Sequence, residues 1–213
     1  MEDLLDLYEA PSDPKRPRVC FDEQPYQIVA ETRAPISARP GRDGKPGHAA
    51  RVDYEYRRNG TANLFMSVDP DRGWRHVSVT DRRTKRDFAH EMQQLVDVHY
   101  PKATVIRLVT DNLNIHTTAA LYETFPPEEA RRIARKLEFH YTPKHGSWLN
   151  QAEIEFSVLN GQCLDRPMRD RPTLAREVAA WEAARNRARA AVTWRFTTRA
   201  ARTKMHRVYP VVL

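Results

Sequence analysis
The sequence predicts an α/β protein in which helices flank a mixed sheet. Three observations carry that prediction. β-rich runs in the first half read as antiparallel strands, and the second half alternates strand with helix. The run Thr104-Val-Ile-Arg-Leu-Val-Thr110 is dense enough in β-branched residues to be a buried central strand. At 213 residues the chain suits one domain with a sizeable core.

Residues 1–10 place Leu4, Leu5 and Leu7 among four acids, a short amphipathic helix that Pro11, Pro14 and Pro17 then break. Residues 18–22 read as a short strand ending in Asp22. Pro35, Pro40, Gly41, Gly44, Pro46 and Gly47 make 33–50 a loop. Its GRDGKPG stretch lacks the Gly-Lys-Ser/Thr ending of a phosphate loop. Residues 53–70 read as a hairpin, with strands 54–56 and 62–68 joined at Asn59-Gly60, a dipeptide suited to a type I′ turn. A turn at 69–73 and a strand at 74–80 follow. Phe88, Met92, Leu95, Val96 and Val98 predict a helix over 87–100, closed by Pro101. After the 104–110 strand come helices near 116–124 and 127–136 and a strand at 137–141. A helix at 149–164 carries apolar residues at 149, 152, 156, 159 and 163. The last helix, about 173–192, shows Leu174, Val178, Trp181, Ala188 and Val192 on one face. Trp74, Trp148, Trp181 and Trp194 are expected to be packing aromatics, and Cys163 a buried small hydrophobe.

Composition narrows the class. Lys plus Arg is 35 against 28 for Asp plus Glu, a net charge of +7. No apolar run is long enough to span a bilayer, so no membrane association is expected. The acidic N-terminus does not read as a signal peptide. Two cysteines exclude a disulfide scaffold and a Cys-based zinc finger. A soluble cytoplasmic protein is expected. The charge is uneven: residues 166–207 hold twelve Lys/Arg and three Asp/Glu, a local +9. Such a segment can follow a phosphate backbone, although a solvated arginine-rich helix face would look the same.

Asp22 and Asp111 each end a strand run, and ligands in open α/β sheets collect beyond the carboxyl ends of strands. Asp111 also suits a helix N-cap. A third acid lies in Gly146-Ser-Trp-Leu-Asn-Gln-Ala-Glu-Ile-Glu155. Glu153 and Glu155 stand roughly 200° apart on a helix and cannot both face one site. Geometry alone does not choose between them, though Asn150 shares the side of Glu153. Either could equally be a surface acid near a helix start. Three carboxylates are hard oxygen donors suited to Mg²⁺ or Mn²⁺. Two such ions about 3.5–4 Å apart serve phosphodiester chemistry.

These residues carry a resemblance. VCFDEQP (19–25), RRNGTANLFM (57–66), GWRHVSVTDRRT (73–84), LVTDNLNIHT (108–117), FHYTPKHGSWLNQAEIEFSVLNGQCLDR (139–166) and WRFTTRAARTKMHRVYP (194–210) resemble the catalytic domain of DDE transposases, in the bacterial insertion-sequence branch related to the mariner group. The resemblance implies an RNase H-like fold, a mixed five-stranded sheet of antiparallel hairpin strands and parallel strands flanked by helices. It implies metal-dependent DNA cutting and strand transfer, with Asp22, Asp111 and Glu153 as catalytic ligands of two Mg²⁺ or Mn²⁺ ions. It selects Glu153 over Glu155 by the Leu-Asn-x-x-Glu motif. The 153 − 111 − 1 = 41 residues between the last two acids exceed the spacing typical of the mariner group. Glu23, Asn112, His116, His145 and Asn150 match neighbouring motif positions and are expected to support the ligands or orient substrate. Lys144, Arg185, Arg187, Arg189, Arg195, Arg199, Arg202 and Lys204 are expected to contact DNA.

The expected organisation is an N-terminal helix and linker (1–16), a catalytic core (17–165) and a basic helical segment (166–213). DNA is the expected partner, a homodimer is expected by analogy, and no small-molecule cofactor is implied. DNA binding would place the chain on the bacterial nucleoid. About 16 residues precede the first strand, too few for a helix-turn-helix module, so specific end recognition is not expected of this chain. Two alternatives stand beside this reading: a remnant that binds DNA or partner subunits without catalysis, and an RNase H-like nuclease such as a resolvase.

Overall fold
The computed structural model describes residues 1–33, 36–41, 46–51 and 55–205. The middle of the GRDGKPG loop, the start of the expected 54–56 strand and the chain beyond 205 lie outside the described residues. In chain order the elements are α1 (Glu2–Glu9), β1 (Arg18–Glu31), β2 (Tyr56–Asp69), β3 (Trp74–Thr80), α2 (Lys85–Gln94), a π-helical turn (Leu95–His99), β4 (Ile106–Thr110), α3 (Thr118–Thr124), α4 (Pro127–Ala134), β5 (Leu137–Tyr141), a 3₁₀ turn (Ser147–Leu149), α5 (Gln151–Gln162), α6 (Arg171–Ala188) and α7 (Thr198–Lys204). The five strands form one sheet in the order β3-β2-β1-β4-β5. β1–β2 and β2–β3 are antiparallel; β1–β4 and β4–β5 are parallel. The mixed sheet is therefore as expected.

Strand alternation divides the core into two. Cys20, Leu64, Met66, Val68 and Val109 face one side, under α1, α5, α6 and α7. Val19, Phe21, Phe65, Ile106 and Leu108 face the other, under α2, α3 and α4. The N-terminal helix belongs to the first core, with Leu4 and Leu5 fully buried.

Several expectations are corrected. β1 does not stop at Asp22; it runs on to Glu31 because β2 supplies an antiparallel partner along that length. Asn59-Gly60 is not a hairpin turn but lies inside β2. There Gln27 pairs with Thr61 and Val29 with Arg58, so Asn59 and Gly60 stand opposite the single Ile28. That is a β-bulge, and Gly60 supplies it with a φ of +95°. The expected helix over 87–100 widens to a π turn at Leu95, which turns Val98 outward to 68% exposure. The last long helix stops at Ala188, where Arg189 adopts the left-handed conformation (φ 47°). Val192 therefore lies beyond the helix, in a segment without regular secondary structure, and a separate α7 follows. Trp181 is buried, and Trp74 and Trp194 pack against the two cores. Trp148 is not a core residue: it is 43% exposed. Cys163 is buried as expected.

Candidate active site
The two aspartates meet through strand register. Arg18, Val19 and Cys20 pair with Arg107, Leu108 and Val109, an offset of 107 − 18 = 89. The same offset carries Asp22 to 22 + 89 = 111. The parallel strands lie about 4.8 Å apart. Asp22 shares the parity of Cys20, so its carboxylate belongs to the face that α5 covers, while Asp111 directly follows the last residue of β4. β4 ends at Thr110 and the β1–β4 pairing ends at Cys20. The carboxylates thus stand where the parallel ladder opens, beyond the carboxyl end of β4.

Asn150 fixes α5 onto this face. It is buried and caps α5, its side-chain oxygen accepting from the Ala152 N–H at 3.2 Å. Its amide donates to the Phe21 carbonyl at 2.8 Å and to Asp22 Oδ2 at 3.3 Å. Nearly three turns further along α5, Gln24 and Asn160 exchange two hydrogen bonds of 2.9 and 3.1 Å. Glu153 lies in the first turn of α5 and is exposed. Its charge, with those of Glu23 and Asp111, acts on Asp22. Glu155 points elsewhere: it is buried, 3.1 Å from Arg75 Nε and 2.7 Å from Arg185 Nη2. Glu155 is thus occupied as the counter-charge of the fully buried Arg75 of β3.

Electrostatics mark the site. Burial first, then the charges of Glu23, Asp111 and Glu153, push the Asp22 carboxyl up to about 7, against a hydrogen bond from the Glu23 N–H that lowers it. Asp111 is held by His116, whose Nδ1 lies 2.6 Å from Asp111 Oδ1 and whose Nε2 lies 2.9 Å from Glu23 Oε2. Burial alone would lower the His116 pKa, but the two carboxylates outweigh it and raise it to about 9. At neutral pH the imidazolium therefore donates through Nδ1 to Asp111 and forms an ion pair with Glu23. Glu23 belongs to the opposite sheet face from Asp22 and is buried, so it meets the site through His116. Arg83 approaches Glu23 to 3.5 Å, and the Tyr141 hydroxyl donates to the His116 carbonyl at 3.0 Å. The sequence singled out neither residue.

Asn112, Lys144 and His145 are exposed and line a cleft of about 520 Å³ that also borders Asp111, Leu113, Thr142, Pro143 and Ser147. His145 has a φ of 63°, rare for a residue with a side chain. Gly146 closes that turn; a Cβ there would lie 2.6 Å from the Pro143 ring. Of the expected DNA contacts, Arg185 is already bonded to Glu155 and Arg202 to Glu2 at 2.7 Å. Lys144, Arg187, Arg189, Arg195, Arg199 and Lys204 are exposed, with no side-chain ion pair among the described residues. Lys204 lies 5.9 Å from the Phe196 ring.

The donor chemistry fits a hard divalent cation: burial, and after it the neighbouring carboxylate charges, push the Asp22 carboxyl up, and a cation would relieve both. The arrangement is open. Among the described residues no three His, Cys, Asp or Glu groups stand close enough to hold one ion.

Comparisons with known proteins bear on the family and the fold. The family model for the DDE superfamily endonuclease matches residues 17–175. No curated protein sequence matches the chain significantly. Among solved structures, the Mos1 transposase paired-end complex with left transposon end is similar at 15% identity and a TM-score of 0.57, over 89% of this chain and 55% of that one. The Mos1 mariner paired end complex with Mn gives 16% and 0.56, over 86% and 52%. The Mos1 Strand Transfer Complex gives the same values. The chain spans about half the length of these Mos1 chains and shares their RNase H-like fold. By its fold and its match over residues 17–175, the chain belongs to the DDE superfamily endonucleases.

Proposed function
We propose that this chain is the catalytic domain of a transposase, cutting DNA and joining the freed end to a target. The observation that supports the proposal is that Asp22, bonded to Asn150 at the start of α5, stands close enough to Asp111 and Glu153 for both their charges to act on it. Asp22, Asp111 and Glu153 are the residues that would hold two Mg²⁺ or Mn²⁺ ions. When bound, such ions activate an attacking oxygen and stabilise the leaving oxygen of a phosphodiester. Similar Mos1 structures were solved with Mn and with Mg.

The remaining residues prepare that chemistry. Asn150 holds the Asp22 carboxylate against β1. His116, protonated, orients Asp111 and offsets part of the acidic charge. Lys144, Arg187, Arg189, Arg195, Arg199 and Lys204 offer cations to phosphates. Water attacks the phosphodiester in line, and the liberated 3′-hydroxyl then attacks target DNA. In this reading residues 17–165 form the catalytic core, 166–213 a basic segment along the DNA and 1–16 a packed N-terminal helix. A homodimer would bring two ends together, as the paired-end Mos1 complexes suggest. The protein would work in the cytoplasm on the nucleoid.

The test is Asp111→Asn in a plasmid-nicking assay with Mg²⁺ or Mn²⁺. Loss of nicking with unchanged circular dichroism is expected; full activity overturns the assignment. Wild-type binding without any cleavage would favour the binding-only alternative. Hydrolysis without joining of pre-cut ends would favour a resolvase-like nuclease.

A further inference from the structure
Trp148 is the only exposed tryptophan among the described residues, and its chain neighbours Leu149 and Asn150 are fully buried. It lies in the Ser147–Leu149 turn, between Leu149 and Asn150, both fully buried, and a Gly146 backed against Pro143. Its neighbour Ser147 lines the cleft beside Asp111, and Asn150, two residues on, bonds Asp22. Trp148 thus stands in the chain between a residue that lines the cleft and one that bonds Asp22. Phe196 covers only part of it, edge-on at 5.5 Å and 68°. Beside Phe196 lie Lys204 and the exposed Arg195 and Arg199. A half-open aromatic flanked by cations is the combination that holds single-stranded nucleic acid, where bases stack on rings and cations follow phosphates. Paired bases in a duplex already have both faces covered, so the indole discriminates for a base out of the stack.

We propose that Trp148 is a positioning residue that stacks an unpaired base of the DNA at the rim of the cleft, beside the phosphate to be attacked. The proposal rests on the DNA-cleaving reading above, but its test does not need cleavage. The experiment measures binding of the full chain to a fluorescent dT12 single strand and to a fully paired 12-base-pair duplex, in EDTA, over a series of salt concentrations. Trp148→Ala should weaken single-strand binding about 5- to 140-fold, the range for one stacked base at a factor of ten per 1.4 kcal/mol. The slope of log K against log salt should stay unchanged, because no phosphate contact is lost. Trp148→Phe should recover most of the affinity, and duplex binding should change less than twofold. Lys204→Ala should instead lower the single-strand slope by about 0.7.

No loss in Trp148→Ala, or equal loss on both DNAs, overturns the proposal, since the second marks a general structural defect. Absence of single-strand binding by the wild type overturns it too. A parallel Mn²⁺ plasmid-nicking assay on the wild type separates the two claims. Nicking without a Trp148 effect refutes the stacking role alone, whereas no nicking refutes the function proposed above.

Discussion
Replacing Asp22 by Asn should make the metal-free protein more stable while removing its activity. In the folded state the Asp22 carboxyl titrates near 7, against 3.8 for the unperturbed group. A folded pKa above the unfolded one means that folding favours the protonated form. The wild type therefore loses stability as pH rises from about 4 to about 7, and the full penalty is present above that. At about 1.36 kcal/mol per pH unit, the interval from 3.8 to about 7 corresponds to about 4 kcal/mol. Asp22 is partly exposed, and solvent screening reduces this to about 2 kcal/mol. For a domain of this size that is about 4–8 °C in melting temperature. The assay is thermal unfolding of wild type and Asp22→Asn in EDTA at pH 5 and pH 8. The variant should melt higher at pH 8, and at pH 5 by only about two-fifths as much. Adding Mn²⁺ at pH 8 should raise the wild type more than the variant and release protons, detectable by calorimetry in buffers of different ionisation enthalpy. A variant less stable than wild type at pH 8 in EDTA would refute the idea that burial and the neighbouring carboxylates disfavour the charged form of Asp22.

Three further outcomes follow from the same geometry. Glu155→Gln should cost about 3–5 kcal/mol in urea unfolding, because it strands the buried Arg75 and releases Arg185; Glu153→Gln should leave stability nearly unchanged and abolish nicking. His116 contributes stability that is complete below pH 6.5 and is lost as pH rises through about 9, its folded pKa. His116→Ala should flatten that alkaline decline, as read from melting temperature between pH 6 and 9.5. Gly73→Ala should destabilise by more than about 1 kcal/mol in chemical unfolding, since Gly73 has a φ of +61° and a Cβ would lie 2.5 Å from the Arg189 carbonyl oxygen.

What the sequence reveals depends on how local the determining interaction is. The β4 run and the 74–80 strand are legible because burial on both faces, or pairing across a tight turn, writes itself into neighbouring residues. Asn59-Gly60 signals a need for positive φ, but a turn and a bulge share that need, and only the β1 partner decides. The meeting of Asp22 with Asp111 depends on pairing between strands 89 residues apart, which no local pattern encodes. Glu153 and Glu155 are indistinguishable on the helix itself. Arg75 on β3 and Arg185 on α6 pull Glu155 inward, and both are remote in the chain. Trp148 reads as core because tryptophan usually is, yet the buried Leu149 and Asn150 beside it use up the inward positions of that turn.

The central claim is that Asp22, Asp111 and Glu153 share divalent ions. The direct measurement is a crystal of the protein soaked in Mn²⁺, with anomalous scattering used to locate the metal. The account predicts Mn²⁺ bonded to carboxylate oxygens of Asp22 and Asp111, with Glu153 closing the site. Manganese bound on another face, or none at these three carboxylates at saturating concentration, would contradict it.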